Sequence, residues 1–301
     1  MKLCLDSIVS TASTQLGNGR VADYIPALST VKSNQVGIAI CTIEGQVYTA
    51  GDAQKPFSIQ SISKLFALIK ALEIVDDPIW ERIGREASGR RFNSLVQLEE
   101  EDGVPRNPFI NAGALVTCDL LQERLSAPVH QILTMIRKLA NNPSISVNQT
   151  VFRSELASSA RNAAMAYLMK SYGNFHSDVD LVLANYCQYC AVEMNCEDLA
   201  KATVFLANNG ASLDEEQILS PKKVKAINAL LATCGLYDAS GAFAVDVGLL
   251  GKSGIGGGIV AINPGKYSVA VFSPELNQYG NSVVGIYLLK LLAEQVGETV
   301  F

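Results

Sequence analysis

Two pairs of strand-like segments lie near opposite ends of this chain, and a long stretch of helical character separates them. The pairs span 36–42 with 47–50, and 256–263 with 267–273. The loop of the second pair contains Pro264 and Gly265, which suit a type II turn, and both pairs are predicted to be hairpins. We expect the two hairpins to share one antiparallel sheet, flanked by helices predicted at the two termini.

This layout predicts an α+β fold with two lobes. The sheet lobe would comprise about 1–76 and 236–301, and the insert of about 77–235 would form an all-helical lobe. A chain of 301 residues is long enough for one large domain or two, and we predict one. Finer predictions are one helix from Glu155 to about Ser171 and a strand at 242–247. The Gly- and Pro-punctuated stretch 77–110 is irregular, which is typical of a functional segment.

Composition and charge exclude several classes of function. The chain has 24 basic and 29 acidic residues, and no basic cluster of the kind that binds nucleic acid. No apolar run is long enough to span a bilayer, and the N-terminus lacks the apolar core of a signal peptide. Cys187 and Cys190 have no second pair at zinc spacing, so no metal site is predicted. The odd number of cysteines, 7, favours free thiols in a reducing cytoplasm.

Ser61 and Lys64 form a Ser-x-x-Lys pattern at the start of an apolar helix predicted to run to about Val75. Residues three apart on a helix share a face, so the hydroxyl and the amine could meet. Burial among apolar neighbours would lower the pKa of Lys64 toward a working range for a base. The pattern therefore indicates nucleophilic catalysis by a serine-lysine pair. The alternative is a chance occurrence, because Ser-x-x-Lys is present in many helices.

The stretch from Gly251 to Gly258 is the second informative segment. Its Gly-Lys-Ser resembles a phosphate-binding loop, but Asp246 stands where that motif needs glycine and a strand follows instead of a helix. We therefore interpret Lys252-Ser253-Gly254 as the counterpart of the Lys-Thr-Gly element of penicillin-recognising enzymes, on an edge strand. Such a strand can offer a backbone N–H to an oxyanion. The alternative is a glycine-rich bend in the sheet.

Polar side chains elsewhere could bind an amino-acid substrate. Glu155 and Asn162 are predicted on one helix face, where Glu155 would bind an ammonium group and Asn162 either charged group. A first-turn glutamate can equally be explained by the helix dipole, and Asn111 by helix capping. Tyr186 and Tyr237 could transfer a proton near a serine-lysine pair, although buried tyrosines are common without that role.

The motif stretches of this chain, taken together, resemble the serine-dependent, β-lactamase-like glutaminases of bacterial type. The matching stretches are Asp23–Pro26, Gln60–Lys64, Arg106–Ala114, Ser154–Glu155, Arg161–Asn162, Tyr186–Gln188, Cys234–Asp238 and Lys252–Gly258. They follow the family's order and approximate spacing over nearly the whole chain. The resemblance implies a fold similar to β-lactamases and penicillin-binding proteins.

The resemblance also implies hydrolysis of L-glutamine to L-glutamate and ammonia, with no cofactor. Ser61 would be the nucleophile, Lys64 its base, and Tyr186 and Tyr237 catalytic groups that assist proton transfer. The implied substrate contacts are Tyr24, Ser61, Asn111, Glu155, Asn162, Tyr186, Tyr237 and Ile255. The N–H groups of Ser61 and Ile255 would bind the oxyanion, and the family's frequent valine at 255 is no obstacle because the backbone acts. A homo-oligomer, a tetramer or dimer, is expected.

Two other classes of protein remain open from the sequence. A β-lactam-processing serine hydrolase would be acylated by penicillins and would not need Glu155. A non-catalytic amino-acid-binding protein would bind glutamine with or without Ser61, although the presence of Ser61, Lys64 and Lys252 together argues against it. A side activity on asparagine also stays open, because one methylene discriminates by only about 1–3 kcal/mol.

Overall fold

The computed structural model describes residues 4–75, 78–90, 92–297 and 299–301. Strands β1 to β8 span Gly37–Thr42, Val47–Gly51, Phe57–Ser58, Ser146–Val147, Val192–Met194, Leu250–Ser253, Gly258–Asn263 and Tyr267–Phe272. Helices α1 to α13 span Leu5–Ala12, Ser63–Ile74, Ile79–Arg82, Val96–Glu100, Asn111–Arg124, Pro128–Ala140, Gln149–Ala157, Ala160–Ser171, Val179–Cys190, Cys196–Thr203, Pro221–Cys234, Ser240–Asp246 and Val283–Val296. Within these described ranges, no helix combines the length and apolar character needed to cross a membrane.

Five strands form one antiparallel sheet in the order β2-β1-β8-β7-β6. The two predicted hairpins are present, and they join through β1 and β8, with Gly37 opposite Phe272 and Thr42 opposite Tyr267. β6 carries Lys252 and lies at the edge of the sheet, as predicted. The α+β fold class is therefore confirmed.

The central strands β1, β7 and β8 are buried along their whole length because both faces of the sheet are covered. One face, including Ile38 and Val269, packs with apolar residues of α1 and α13. The opposite face, including Ala39 and Ala270, joins a core that continues into the helical lobe. Strands buried on both faces read as continuous apolar runs, which is the pattern of 38–41 and 259–262 in the sequence.

The lobe predicted to be all-helical also contains short strands. β5 pairs with both β3 and β4 in a small three-stranded sheet, in which Phe57 lies opposite Met194. Strands of two or three residues are too short to show a periodic pattern, so these strands have no signal in the sequence. Phe57 also stacks on Phe272 of the large sheet, with ring centroids 4.2 Å apart and ring planes 2° from parallel.

Two of the finer predictions are wrong. The segment 242–247 is not a strand, because its residues up to Asp246 belong to α12, where alanines favour a helix. The helix predicted from Glu155 to about Ser171 is two helices, α7 and α8, separated at Ser158 and Ser159. The hydroxyls of both serines donate to carbonyls in the last turn of α7, a local bonding pattern that competes with a continuing helix.

Candidate active site

Ser61 lies in a 3₁₀ turn, Gln60–Ile62, that leads directly into α2. The preceding Gln60 has a left-handed backbone with φ of 47°, which is unfavourable for a residue with a side chain. The Gln60 side chain is buried, donates to Ser58 Oγ at 3.0 Å and makes a hydrogen bond to Glu155. The hydrogen bonds of the Gln60 side chain to Ser58 and to Glu155 therefore hold this strained turn in place.

Lys64 is 2% exposed, as its apolar neighbours predicted. Its Nζ donates to Asn111 Oδ1 at 2.6 Å and to the Phe109 carbonyl at 3.2 Å. Burial lowers the pKa of Lys64 to about 8, against a smaller opposing effect of negative groups that include Glu155. An amine with this pKa is substantially neutral in mildly alkaline solution and can accept a proton.

Tyr237 shares a hydrogen bond with the Ser61 hydroxyl. It has a left-handed backbone, with φ of 55°, at the start of a 3₁₀ turn. Its ring centroid lies 5.7 Å from Lys64 Nζ and 5.0 Å from the Phe92 ring centroid. Burial raises the pKa of Tyr237, so its phenol is protonated at neutral pH and can donate.

Tyr186 is 3% exposed and lies on α9. It makes a hydrogen bond with Cys190 one turn further along the same helix. Burial raises the pKa of the Tyr186 phenol well above its ordinary value. Tyr186 therefore enters the site as a neutral, buried hydroxyl.

Asn111, Glu155 and Asn162 come together from three helices, α5, α7 and α8. The prediction that Glu155 and Asn162 share one helix is wrong, but the kink between α7 and α8 still directs both into one cavity. Asn111 is not an N-cap, because Ile110 holds that position. Its side chain instead accepts from Lys64 and donates to Asn162 Oδ1 at 3.0 Å.

Glu155 has a carboxylate oxygen without a partner among the described residues. This atom, Oε2, is buried, and the whole side chain is 9% exposed. Burial raises the pKa of Glu155 to about 7, while the hydrogen bond from Gln60 and the positive field of Lys64 oppose the rise. A buried carboxylate oxygen without a partner in a cavity is suited to a cationic ligand.

The cavity at this site has a volume of about 350 Å³. Seven of the predicted site residues line it, namely Tyr24, Ser61, Asn111, Glu155, Asn162, Tyr186 and Ile255. Lys64 and Tyr237 lie outside this lining and reach it through Asn111 and Ser61. Tyr24 is 57% exposed, at the rim.

Several lining residues carry no predicted role. These are Ile25, Gln60, Phe92, Asn93, Ser158 and Arg161. Arg161 donates to the Asn93 carbonyl at 3.2 Å, which connects α8 to the segment that contains Phe92. The irregular composition of 77–110 was the available signal for Phe92 and Asn93; residues 77 and 91 of that stretch lie outside the described ranges.

The loop after β6 packs closely on the turn that carries Ser61. A Cβ on Gly254 would lie 2.4 Å from the Ile59 carbonyl oxygen and 3.3 Å from Ser61 N. A Cβ on Gly256 would lie 2.1 Å from the Ser58 carbonyl oxygen. Only glycine allows this approach, which places Ile255 beside Ser61 in the cavity lining.

Asp119, Glu123 and His176 are grouped closely enough to hold a metal ion. Arg82 occupies this group, however, since its guanidinium pairs with Asp119 at 2.5 Å and with Glu123 at 3.2 Å. Asp119 also accepts from the backbone N–H groups of His176 and Ser177. The cluster is therefore a satisfied ion-pair network, and none of its members lines the cavity of Ser61.

Comparison with known proteins identifies the family. The family model described as Glutaminase matches residues 19–301. This chain belongs to the glutaminase family. The glutaminase of Aeromonas hydrophila is 56% identical over 299 residues, which cover 99% of this chain and 98% of that protein. The glutaminase of Pseudomonas fluorescens is 53% identical over 302 residues, which cover 100% of this chain and 100% of that protein.

Solved structures of glutaminases have the same fold. A probable glutaminase named ybaS is 37% identical, with a TM-score of 0.93, over 99% of this chain and 98% of that one. The probable glutaminase from Bacillus subtilis, complexed with 6-diazo-5-oxo-L-norleucine, is 32% identical, with a TM-score of 0.89. The match covers 99% of this chain and 95% of that one. The predicted family and its β-lactamase-like fold are confirmed.

Proposed function

We propose that this chain hydrolyses L-glutamine to L-glutamate and ammonia through an acyl-enzyme on Ser61. The observation that carries the proposal is the pairing, in one cavity, of Ser61 with the unpartnered buried carboxylate of Glu155. A nucleophilic hydroxyl on Ser61 and a carboxylate on Glu155, at separate positions in the cavity, suit a substrate with a reactive amide and a separate ammonium group. The names of the relatives, all glutaminases, support the same substrate.

The first chemical step transfers a proton from Ser61 to Lys64. With a pKa of about 8, Lys64 is available as the neutral amine that this step requires. Ser61 Oγ then attacks the side-chain amide carbon, and the carbonyl oxygen becomes an oxyanion. The backbone N–H groups of Ser61 and Ile255 donate to that oxyanion, and the glycine contacts of 254 and 256 support their closeness.

Collapse of the tetrahedral intermediate breaks the carbon–nitrogen bond. The leaving nitrogen takes a proton from Lys64, directly or through the phenol of Tyr237, which shares a hydrogen bond with Ser61. Ammonia leaves, and a γ-glutamyl ester remains on Ser61. A water molecule then attacks the ester and loses a proton to neutral Lys64. Lys64 passes this proton to Ser61 Oγ as the ester carbon–oxygen bond breaks, which releases glutamate and restores Ser61.

The remaining predicted residues would bind the amino-acid head group. Glu155 would bind the α-ammonium group, and the amides of Asn111 and Asn162 would donate to the α-carboxylate. Tyr24, at the rim, would close over the head group, and Tyr186 would lie beside the reacting amide. The partly buried hydrogen bond between Asn111 and Asn162 supports this arrangement, because it orients both amides before substrate enters.

The same proposal extends to the organisation of the protein. We propose a single catalytic domain, which the core shared between the sheet and the helical lobe supports. The seven cysteines are all free thiols, which supports a cytoplasmic location. A homo-oligomer, a tetramer or dimer, is proposed on the family resemblance.

Ammonia release from L-glutamine by the purified protein and by Ser61→Ala tests the function. We expect turnover by the native chain and a loss of at least about 10³-fold in Ser61→Ala. Ser63→Ala is the matched control, since its hydroxyl lies within 3.9 Å of Cys190 Sγ and does not line the cavity. Equal turnover by the native chain and Ser61→Ala would exclude Ser61 as the nucleophile.

Comparison substrates separate the rival classes. L-Asparagine measures the side activity, and a chromogenic cephalosporin measures β-lactam processing. Stable acylation or hydrolysis of the cephalosporin without glutamine turnover would keep the serine-lysine chemistry but exclude glutamine as substrate. Glutamine binding without turnover in both proteins would indicate a binding protein.

A further inference from the structure

Lys252 is a buried amine to which the reaction above assigns no step. It lies on the edge strand β6, is 0% exposed, and does not line the cavity of Ser61. Its Nζ donates to the backbone carbonyls of Gly235 at 3.1 Å and of Ser253 at 2.7 Å. A lysine that bound the substrate carboxylate would have to line the cavity. Lys252 does not line it, so another role for this side chain is needed.

The two carbonyls belong to the two segments that present groups to Ser61. Gly235 comes two residues before Tyr237, and Ser253 comes two residues before Ile255. The amine also faces the ring of Tyr237, with Nζ 4.4 Å from the ring centroid. A single side chain therefore contacts both segments and the ring of one proposed catalytic residue.

The backbone around Lys252 leaves little freedom for these segments. A Cβ on Gly235 would lie 1.8 Å from the Gly251 carbonyl oxygen, so the turn before Tyr237 is pressed directly on β6. Tyr237 then takes the unfavourable φ of 55°. A strained residue persists only where its surroundings determine it, and the bond from Lys252 to Gly235 is one such constraint.

The bonding of Lys252 does not depend on its charge. Burial, and then the nearby positive charge of Lys64, hold the pKa of Lys252 well below its ordinary value. A neutral amine still carries two N–H donors, one for each of the two carbonyls. The contacts of Lys252 therefore persist in either protonation state.

We propose that Lys252 is a positioning residue that holds Tyr237 and the Ile255 loop in place against Ser61. The inference rests on the proposed function for the roles of Tyr237 and Ile255. Its action is indirect, since Lys252 does not line the cavity in which the substrate would bind.

Lys252→Met, which keeps the length of the side chain and removes its N–H donors, tests the proposal. We expect kcat for glutamine to fall about 100-fold, because a displacement of about 1 Å at a reaction centre has effects of that size. KM should change by less than about threefold, because Glu155 and the two amides that bind the head group are untouched. Lys70→Met, on α2 in a pair with Glu73, is the matched control and should keep native kinetics.

The kinetic outcomes separate three roles. A kcat within about threefold of native would overturn the proposal and leave Lys252 with a role in stability only. A raised KM with unchanged kcat would make Lys252 a substrate ligand and overturn it as well. If the native chain itself does not turn over glutamine, the proposed function fails, and the role of Lys252 is decided by hydrogen exchange.

Hydrogen exchange measures the positions of the two segments without any substrate. In Lys252→Met, we expect amides at 236–239 and 254–257 to exchange at least about tenfold faster, with α2 and α13 unchanged. Uniformly faster exchange, or no change at the two segments, would overturn the proposal. Lys252→Gln keeps two N–H donors on a shorter side chain; if Lys252→Met does not fold, this variant gives the same two readouts with a smaller expected effect.

Discussion

At the scale of single residues, the site combines two groups whose pKa values burial moves toward each other. The pKa of Glu155 rises to about 7, and that of Lys64 falls to about 8. Between these values, Glu155 is mostly ionised, as its proposed role of ammonium ligand requires, while an appreciable fraction of Lys64 is neutral, as its proposed role of base requires. Rising pH favours both required forms, so we expect kcat/KM to increase from pH 6 to pH 8.

Glu155→Gln should lose substrate affinity and gain stability. The folded-state pKa of about 7 lies above the ordinary 4.5, so folding favours the protonated carboxyl and works against the carboxylate. The resulting cost builds up between pH 4.5 and 7 and is fully present at pH 8, where it amounts to up to about 3 kcal/mol. We therefore expect urea unfolding at pH 8 to show a more stable variant, with no gain at pH 4.

Kinetics of the same variant measure the affinity. The KM for glutamine should rise at least about 100-fold, because a buried charge pair with the ammonium group is replaced by a neutral amide. Glu73→Gln, on the exposed face of α2, is the control for both measurements. A Glu155→Gln protein that is less stable than native at pH 8 would contradict the burial argument.

The sequence predicted site residues from side chains with recognisable chemistry, and it had no signal for residues that tertiary packing brings to the same cavity. Ser61, Lys64 and Glu155 belong to ordered motifs; the structure places Ser61 and Glu155 in one cavity and connects Lys64 to that cavity through Asn111. Gln60 also stands in such a motif, but its left-handed backbone follows from tertiary packing and has no signature in local propensity. The same holds for Phe92, which lies between α3 and α4 and lines the cavity.

At the scale of elements, the proposed oxyanion site depends on the contact between the loop after β6 and the turn of Ser61. Both proposed donors are backbone N–H groups, so their positions depend on the approach of two chain segments. Gly254 lies where these segments meet, with its would-be Cβ 2.4 Å from the Ile59 carbonyl oxygen. Separation of the segments would misplace the donors without removing any functional side chain.

Gly254→Ala should therefore lower kcat with little effect on KM. The added methyl group cannot be accommodated against a backbone oxygen, so Ile255 must move away from Ser61. Loss of one oxyanion donor typically costs about 10²–10³ in kcat, and we expect a fall in this range in ammonia release. Gly241→Ala, on α12 with open space around its Cβ, should keep native kinetics. Native kcat in Gly254→Ala would show that the loop does not form the oxyanion site.

The sequence predicted elements that have a clear hydrophobic pattern. It did not predict element boundaries that depend on side-chain hydrogen bonds. The hairpins β1–β2 and β7–β8 follow from apolar runs separated by turn residues. The break between α7 and α8 comes from two serine hydroxyls that bond to nearby carbonyls, in a sequence that is compatible with one long helix. The Ala-Phe-Ala-Val run of α12 alternates in size as a strand can, but its alanines favour the helix that forms.

At the scale of the whole molecule, one core connects the large sheet to the helical lobe. Ala39 and Ala270 of the sheet belong to the same buried cluster as residues of α2, α5 and α9. The sequence predicted the two lobes from the order of the segments, but the contact between them depends on side chains far apart in the chain. Phe57 of the small sheet stacks on Phe272 of the large sheet, although 215 positions separate them in the chain, and Phe57 lies four residues before Ser61.

We expect Phe272→Ala to destabilise both lobes together. Phe272 is 1% exposed, and its loss removes the stacking partner of Phe57 and should cost about 3–5 kcal/mol. The chain has 1 tryptophan, Trp80, which lies on α3 and packs against the shared core, so its fluorescence reports the helical lobe. The urea midpoints from Trp80 fluorescence and from far-UV circular dichroism should fall equally and coincide, as one cooperative domain requires.

Phe301→Ala, at a side chain 70% exposed, should leave both midpoints unchanged. A Trp80 transition that stays at the native midpoint in Phe272→Ala would mean that the lobes unfold separately and would contradict the single domain.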